Sequence, residues 1–140
     1  MRLAEWRARL RAETSLDVKR VADFAAARGE HRRDTIYVMY SSDDAQRNES
    51  DVIGSVRQLH TLGVDVVYAI TNRRSDDGDE AVEEIERVRD QVLDALVGWE
   101  PPSGDSAVTY RRGRLLRFDK GTIWWQDAFE VEEFRVSVSA

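Results

Sequence analysis

The fifteen residues from Val56 to Ile70, VRQLHTLGVDVVYAI, carry the clearest structural pattern in the chain. The even positions read Val, Gln, His, Leu, Val, Val, Tyr and Ile, so apolar side chains recur mostly on one face of a β-strand. The pattern predicts one long strand, or two strands joined by a bulge at Gly63. A strand of this length extends about 50 Å, which exceeds the usual length in a small domain. Part of it is therefore expected to overhang the core, as a projecting hairpin or as a strand added to a neighbour.

Three kinds of segment are predicted before this strand. Apolar residues at helical spacing predict an amphipathic helix over residues 2–12. The pattern between residues 16 and 27 is ambiguous, and helix is favoured from about Val18 onward. The β-branched and aromatic run TIYVMY predicts a strand over residues 35–40. The polar residues 41–50 are predicted to form a loop.

The longest helix is predicted over residues 79–97, where apolar residues recur at helical spacing. Seven residues are predicted to form its buried stripe: Ala81, Val82, Ile85, Val88, Val92, Ala95 and Leu96. Glu83 and Arg87 are predicted to pair on the exposed face, because they stand four residues apart. Gly98 is predicted to end the helix, and Trp99 is predicted to pack behind it.

Short strands are predicted in the last third of the chain. They cover residues 108–112, 114–118, 122–126 and 129–138, with a turn at Lys120-Gly121. The order of elements predicts one α+β domain over residues 1–140. Its architecture is expected to be a mostly antiparallel β-sheet covered by one long amphipathic helix (residues 79–97) and a short N-terminal helix.

Composition excludes several classes of function. The 140 residues contain 2 His and no Cys, so disulfides, thiol nucleophiles and thiolate metal sites are excluded. No apolar run is long enough to span a membrane, and a soluble protein made inside the cell is expected. The formal net charge is −6, and residues 1–35 carry a net of +3, which leaves −9 for the rest. This acidic balance argues against duplex DNA as a tightly bound ligand, because phosphate neutralisation needs clustered cations.

Few residues are suited to catalysis. His31 and His60 lie in different elements without a paired spacing, and no nucleophile, nucleotide or metalloprotease motif is present. The acidic run 76–80, DDGDE, has carboxylates that suit a calcium or magnesium ion, but it lacks the alternating spacing of an EF-hand. A turn followed by a helix N-cap explains this run equally well. No catalytic residue, metal site or cofactor is therefore predicted.

The adjacent residues Trp124 and Trp125 are the most informative aromatic pair. Neighbouring side chains of a strand point to opposite faces of the sheet, so the two tryptophans need two covered surfaces. The sheet is either covered on both faces within one chain, or one tryptophan makes a protein–protein contact. Stacking with single-stranded nucleic acid is a third option, which the acidic balance weakens.

Three sequence runs resemble a known family. They are LVGWEPP at residues 96–102, GRLL at residues 113–116 and IWWQDAF at residues 123–129. Rare residues in this fixed order resemble the tail terminator proteins of long-tailed bacteriophages. The order of helices and strands along most of the chain is similar as well.

The resemblance implies a structural virion protein without catalysis or cofactor. Members of that family are similar to tail tube subunits and form hexameric rings. The ring caps the tail tube at its final length, stops polymerisation and offers a surface to the head-completion complex. The resemblance thus implies three protein partners, namely further copies of the chain, the tail tube protein and a neck protein. It also implies assembly in the host cytoplasm and passage of DNA without specific binding. Three alternatives remain open: a neck or head-completion ring protein, a non-viral cytosolic binding domain, or an enzyme with unrecognised carboxylate chemistry.

Two sets of residues are predicted to serve such a ring. The predicted protein-interface residues are Trp124, Trp125, Phe129, Arg112, Arg114, Arg117, His60 and Tyr68. The predicted acidic residues lining or rimming a channel are Asp76, Asp77, Asp79 and Glu80, where like charge would keep DNA from sticking.

Overall fold

A computed structural model describes residues 1–20, 34–71, 79–119 and 121–138 of the chain. Within these ranges the chain forms two helices and five strands. The elements are α1 (Leu3–Glu13), β1 (Asp17–Arg20), β2 (Thr35–Ala45), β3 (Ser55–Thr71), α2 (Asp79–Leu96), β4 (Thr109–Asp119) and β5 (Thr122–Val138). The predicted α+β class is confirmed.

The five strands form one sheet in the order β1-β2-β3-β5-β4. The sheet is mixed, because β1 runs parallel to β2 while the other neighbouring pairs are antiparallel. The parallel pair corrects the sequence prediction at one edge. Val18 begins no helix there, since Asp17–Arg20 pair with residues 35–38 of β2. Sheet hydrogen bonds thus override the helical spacing of the apolar residues. The rest of the predicted segment lies outside the described residues.

The predicted long strand is a single strand, β3, of 17 residues. It pairs with β5 along its whole length, from Ser55 opposite Val138 to Thr71 opposite Thr122. The loop predicted over residues 41–50 is wrong for residues 41–45, which extend β2 along β3. The side chains of these residues are exposed, so a polar sequence is compatible with a strand. Their backbone groups pair with β3 although no side chain is buried.

The bulge lies on the strand opposite Gly63 rather than at Gly63 itself. The register between β2 and β3 shifts between Tyr40 and Ser42, so that Ser41 is the extra residue. A Cβ atom on Gly63 would stand 2.6 Å from Ser41 Oγ and closer still to Ser42 Oγ. The missing side chain therefore leaves room for the two serine hydroxyls at the bulge.

The four short strands predicted near the C-terminus are two long ones. β4 continues through Gly113 as one strand. Its pairing with β5 shifts register at Arg111 and Leu116, which interrupts the alternation of side chains and led to the prediction of two strands. β5 runs through residues 127 and 128 because β3 provides an unbroken partner. Gly121 closes the β4–β5 connection with φ of 79°, a left-handed conformation that glycine adopts readily.

Both helices pack on one face of the sheet. The core includes Trp6 and Leu10 of α1, and Trp99 meets Trp6 edge-to-face at 5.8 Å. Five residues of the predicted α2 stripe are buried: Ile85, Val88, Val92, Ala95 and Leu96. Val82 is not among them, since 47% of it is exposed, and the side chain of Ala81 lies outside the description.

The opposite face of the sheet has a smaller apolar cluster. Tyr37, Val67 and Ala69 are buried there, with Met39 and Trp124 packed against them. Trp125 packs against the helix-covered core instead. The prediction that the two tryptophans point to opposite faces is therefore confirmed.

One end of the sheet projects beyond the helices. We call this extension the arm, and it consists of residues 41–61 with residues 132–138. At the tip, between β2 and β3, Val52 is 66% exposed and Ile53 is 100% exposed. The predicted overhang of the long strand is confirmed in this form.

The contact at Gly63 gives a testable prediction for stability. Gly63→Val should destabilise the fold by about 1–3 kcal/mol, because the added side chain crowds the bulge. Urea unfolding measures the change. Gly63→Ala should cost less when combined with Ser42→Ala, which removes the nearest oxygen. Equal cost in both backgrounds would contradict this account of the bulge.

Candidate protein-interaction site

The predicted interface residues lie in three different environments. His60 lies in the arm, and three predicted arginines, Arg112, Arg114 and Arg117, lie on β4. The remaining four lie near or within the core. The sequence treats these eight residues as one interface, whereas the structure places them in three separate regions.

Tyr68 and Phe129 are not interface residues. Both side chains have no exposed surface, and both belong to the core beneath the helices. Their strand positions place them on the helix-covered face, so they are inaccessible to another chain. The sequence pattern identifies both as large aromatic side chains, but it does not show how deeply each one is buried.

Trp125 and Trp124 are both partly buried. The indole Nε1 of Trp125 donates to Asp127 Oδ1 at 2.8 Å, and the guanidinium of Arg89 lies 4.7 Å from the ring centroid. Trp124 stacks on Tyr37 with centroids 6.5 Å apart. Each ring thus has partners within its own chain.

β4 is an edge strand with two different exposed faces. Arg112 and Arg114 pair with β5 residues 128 and 126, which places them on the face opposite the helices. Arg111 forms an ion pair with Glu130 at 2.8 Å on the same face. Leu115 and Phe118 lie on the helix side and are 57% and 48% exposed. An edge strand with exposed apolar and arginine side chains suits a protein contact.

A polar groove of about 250 Å³ crosses the sheet on the face opposite the helices. Its wall on β4 consists of Arg111, Arg112 and Arg114, and Asp44 of β2 lies at the other side. Asp65 forms the floor and accepts a hydrogen bond from Gln126 Nε2. Burial raises the pKa of Asp65, although the hydrogen bonds and nearby arginines oppose this.

His60 makes one of the two polar contacts available to its ring. Its Nδ1 lies 2.9 Å from Asp43 Oδ1. Its Nε2 is buried and has no hydrogen-bond partner in the described part of the chain. The side chain of His60 therefore has one polar contact, to Asp43 at the exposed end of β2.

Asp127 is the residue that sequence analysis missed. The side chain has no exposed surface and accepts hydrogen bonds from Tyr68 Oη at 2.7 Å and from Trp125 Nε1. Arg89 of α2 adds a bidentate ion pair, with Nε and Nη2 each 3.0 Å from a carboxylate oxygen. A Cβ atom on Gly113 would stand 2.5 Å from Asp127 Oδ1, so β4 must have glycine beside it.

This buried carboxylate centre ties α2 to the sheet. Burial, and then the charge of Asp127, raise the pKa of Tyr68 well above its ordinary value. The Tyr68 hydroxyl therefore stays protonated and keeps donating. In the sequence, the sign of this centre is the aspartate within the apolar run IWWQDAF (residues 123–129). A carboxylate in an apolar strand needs a polar partner when it is buried.

A pair of carboxyl groups lies where β2 begins. Asp34 and Glu84 share a hydrogen bond, and Arg87 of α2 contacts both. Arg87 thus pairs with Glu84 three residues away, and the predicted pair with Glu83 is wrong. Burial first, and then the hydrogen bond and charge of Glu84, raise the pKa of Asp34 to about 7. Hydrogen bonds from Arg87 and Asp34 lower the pKa of Glu84.

The predicted channel residues cannot be placed. Asp76 and Asp77 lie outside the described residues, as do the side chains of Asp79 and Glu80. Among the residues that are described, no group of three His, Asp or Glu side chains could hold a metal ion. None of the described helices is long and apolar enough to cross a membrane.

The Asp127 centre gives a prediction for stability. Asp127→Asn should destabilise the protein by about 2–4 kcal/mol, because Arg89 and three other donors lose a buried charged acceptor. Urea unfolding measures it. Tyr110→Phe is the matched control and should cost less than about 1 kcal/mol, since this hydroxyl lies 3.4 Å from Asp127. Similar losses of unfolding free energy in both variants would contradict a central role of Asp127 in this network.

Asp34 gives the stability a pH dependence of definite sign. Its pKa is about 7 in the folded protein against an ordinary 3.8, so the folded state holds an extra proton between these values. The resulting stabilisation is complete below the unfolded pKa and is lost as the pH rises through about 7. Urea midpoints of wild type and Asp34→Asn should therefore differ by unequal amounts at about pH 5 and pH 8. A constant difference would contradict the assignment.

Nearly the whole chain is similar to a known protein family. No curated protein is similar enough to the chain to count as a match. The family described as phage tail terminator protein matches residues 1–137, nearly the full length. The three runs that suggested this family, at residues 96–102, 113–116 and 123–129, all lie within the match. Proteins of this family are structural components of the phage tail, and the chain belongs to the phage tail terminator family.

Proposed function

We propose that the chain forms a ring of six subunits that caps the tail tube of a long-tailed phage. The ring stops tube polymerisation and presents a surface for the head-completion complex. It assembles in the host cytoplasm and remains in the virion. DNA passes through the ring without specific binding. The match over residues 1–137 carries this proposal, because it ties nearly the whole chain to a tail structural family.

The arm supports a role in assembly. Its strands continue past the helices, so apolar residues at its tip have no core to enter. Ile53 is fully exposed and Val52 is two-thirds exposed. Exposed apolar side chains at the end of a projecting element are typical of protein contacts. The proposed ring and the tail tube would supply the surfaces that cover them.

The exposed face of the arm offers further contacts. Leu59 and Phe134 are partly buried on the face opposite the helices, while Val136 beside them is 56% exposed. The guanidinium of Arg57 lies 3.9 Å from the Phe134 ring centroid and 2.6 Å from Glu49. Arginine and aromatic side chains in this arrangement are typical of interface centres. His60 and the β4 arginines are proposed to contribute at the same or neighbouring interfaces.

The acidic channel lining is a separate part of the proposal. The residues named for it are Asp76, Asp77, Asp79 and Glu80. Further along α2, Glu83, Glu86 and Asp90 are exposed, so negative charge continues for about two more turns. Like charge at a channel would reduce adhesion of DNA.

Removal of the gene from its phage tests the proposed function. Tails should then grow to irregular and excessive length and fail to join heads, because no ring ends tube polymerisation. Electron microscopy of the lysate measures the lengths. Supplying the wild-type gene from a plasmid should restore one length and head joining.

The control for this experiment is a phage lacking a head-completion gene. Its tails should keep their normal length although heads and tails stay apart. Tails of normal length after removal of this gene would contradict the proposal. Tails of normal length that do not join heads would favour the neck or head-completion alternative.

A further inference from the structure

The tip of the arm, residues 48–54, is a loop held in one shape by its own hydrogen bonds. Asn48 Oδ1 accepts a hydrogen bond from the backbone N–H of Arg57 at 2.8 Å, and Asn48 Nδ2 donates to the carbonyl oxygen of Ser55 at 3.0 Å. The backbone N–H of Ser55 in turn donates to the carbonyl oxygen of Val52 at 3.0 Å. A loop that is already ordered loses little conformational freedom on binding, so the tip is suited to a protein contact.

The tip exposes two apolar side chains and one unpaired carboxylate. Ile53 is fully exposed and Val52 is mostly exposed, so the folded chain leaves both in water. Asp51 precedes them and is exposed, and its side chain makes no ion pair or hydrogen bond with the part of the chain that the structure describes. Glu49, the other acidic residue of the tip, is already paired with Arg57. The tip therefore presents two apolar side chains next to one available negative charge.

A pocket of about 440 Å³ lies where the arm leaves the core. Its apolar walls are formed by Leu62, Tyr40 and Met1. Leu62 belongs to the helix-covered core and Met1 packs against that core, so the pocket lies on the same side of the sheet as the helices. A cavity of about 150 Å³ accommodates benzene, so this pocket has room for two aliphatic side chains.

One positive charge at the pocket has no partner among the described residues. Glu133 lies 2.9 Å from the amino group of Met1, and Asp43 lies 2.9 Å from His60 Nδ1. Arg135 also lines the pocket and is exposed, and its guanidinium makes no ion pair or hydrogen bond with any residue that the structure describes. Arg135 is therefore the charged group that remains available to an incoming carboxylate.

The tip cannot enter the pocket of its own chain. Leu62 at the pocket lies seven residues along β3 from Ser55 beside the tip, which is about 23 Å of extended strand. This stretch of β3 is paired with β5 residue by residue, so the arm does not fold back on itself. A tip that fills the pocket must therefore come from another copy of the chain.

The tip and the pocket match in size, polarity and charge. We propose that the tip of one copy inserts Val52 and Ile53 into the pocket of a second copy, where Asp51 of the first copy pairs with Arg135 of the second. The contact joins two different patches, so every copy has one tip and one pocket to offer. Such head-to-tail contacts close into a ring when the rotation between neighbours fits. The inference rests on the proposed ring, and it names the surface that covers the tip.

Two other contacts compete with this one. The polar groove is smaller, at about 250 Å³, and among the described residues that line it only Ala128 is apolar. Val52 and Ile53 would gain little there, because polar walls would lose water without gaining hydrogen bonds. A contact between two tips would bury the same apolar side chains, but it would bring two Asp51 carboxylates together. Like charges at an interface oppose association, so the pocket is the better partner.

Charge exchange between the tip and the pocket tests the inference in the full chain. The tip variant carries Asp51→Arg, so a positive tip meets a positive pocket when two copies associate. The pocket variant carries Arg135→Asp, so a negative tip meets a negative pocket. The swapped variant carries both substitutions. A fourth variant, Ile53→Ser, removes the fully exposed apolar side chain.

The matched controls lie on α2, away from the tip and from the residues that line the pocket. Glu86→Arg reverses one exposed charge. Val82→Ser removes one apolar side chain that is 47% exposed. Circular dichroism establishes that each variant and each control is folded.

Capture of an untagged copy by an immobilised copy measures association. The tip variant, the pocket variant and Ile53→Ser should each capture themselves about tenfold less than wild type captures wild type. Capture of the pocket variant by the tip variant should be restored, because each copy meets the opposite charge in the other. The swapped variant and the two controls should behave like wild type.

Several results would overturn the inference. Unchanged self-capture in the pocket variant, with loss in the tip variant, would favour contact between two tips. Wild-type copies that do not capture each other would favour the tail tube protein as the occupant's partner. Absence of recovery between the tip and pocket variants, or loss of capture in either control, would also contradict the proposed pairing. Failure of the proposed function is distinct, since the gene deletion reports tail length and this experiment reports contact between copies.

Discussion

Pairing between β3 and β5 is the constraint on which the rest of the structure depends. The two strands are joined residue by residue from Ser55–Val138 to Thr71–Thr122. β2 attaches to β3 and β4 attaches to β5, β1 adds to β2, and both helices rest on one face of the resulting sheet. The two strands are far apart in sequence, so their pairing brings the middle of the chain to its end, whereas β2 and β4 join β3 and β5 as sequence neighbours. The arm exists because this pairing continues after the core has ended.

The sequence predicted which helices and strands exist more accurately than it predicted where they begin and end. Alternation from Val56 to Ile70 identified β3, since a period of two survives even where the strand leaves the core. Residues 41–45 were predicted as a loop, because polar side chains conceal a strand whose only requirement is a backbone partner. Val18 was assigned to a helix, because its pairing with residues 35–38 of β2 depends on a segment distant in sequence. These errors share a cause: backbone pairing leaves no mark on side-chain polarity at an exposed edge.

The candidate site was predicted in part. Arg112, Arg114 and Arg117 were named because arginine is favoured at protein interfaces. The structure shows them exposed on the last strand of the sheet, and their contact with another chain stays a prediction. Tyr68 and Phe129 were misplaced because an aromatic side chain carries the same pattern in a core and at an interface. Asp127 was overlooked, since its partner Arg89 lies 38 positions away on α2. A buried ion pair of this kind fixes the angle of a helix on a sheet, but its two halves are visible only after folding.

The unbroken β3–β5 ladder also has a mechanical consequence. Its hydrogen bonds lie across the strand direction, so a pull that slides β3 along β5 loads them in shear. Seventeen residue pairs then share the load, instead of opening one after another as in peeling. The core and the arm therefore respond to such a pull as one stiff plate.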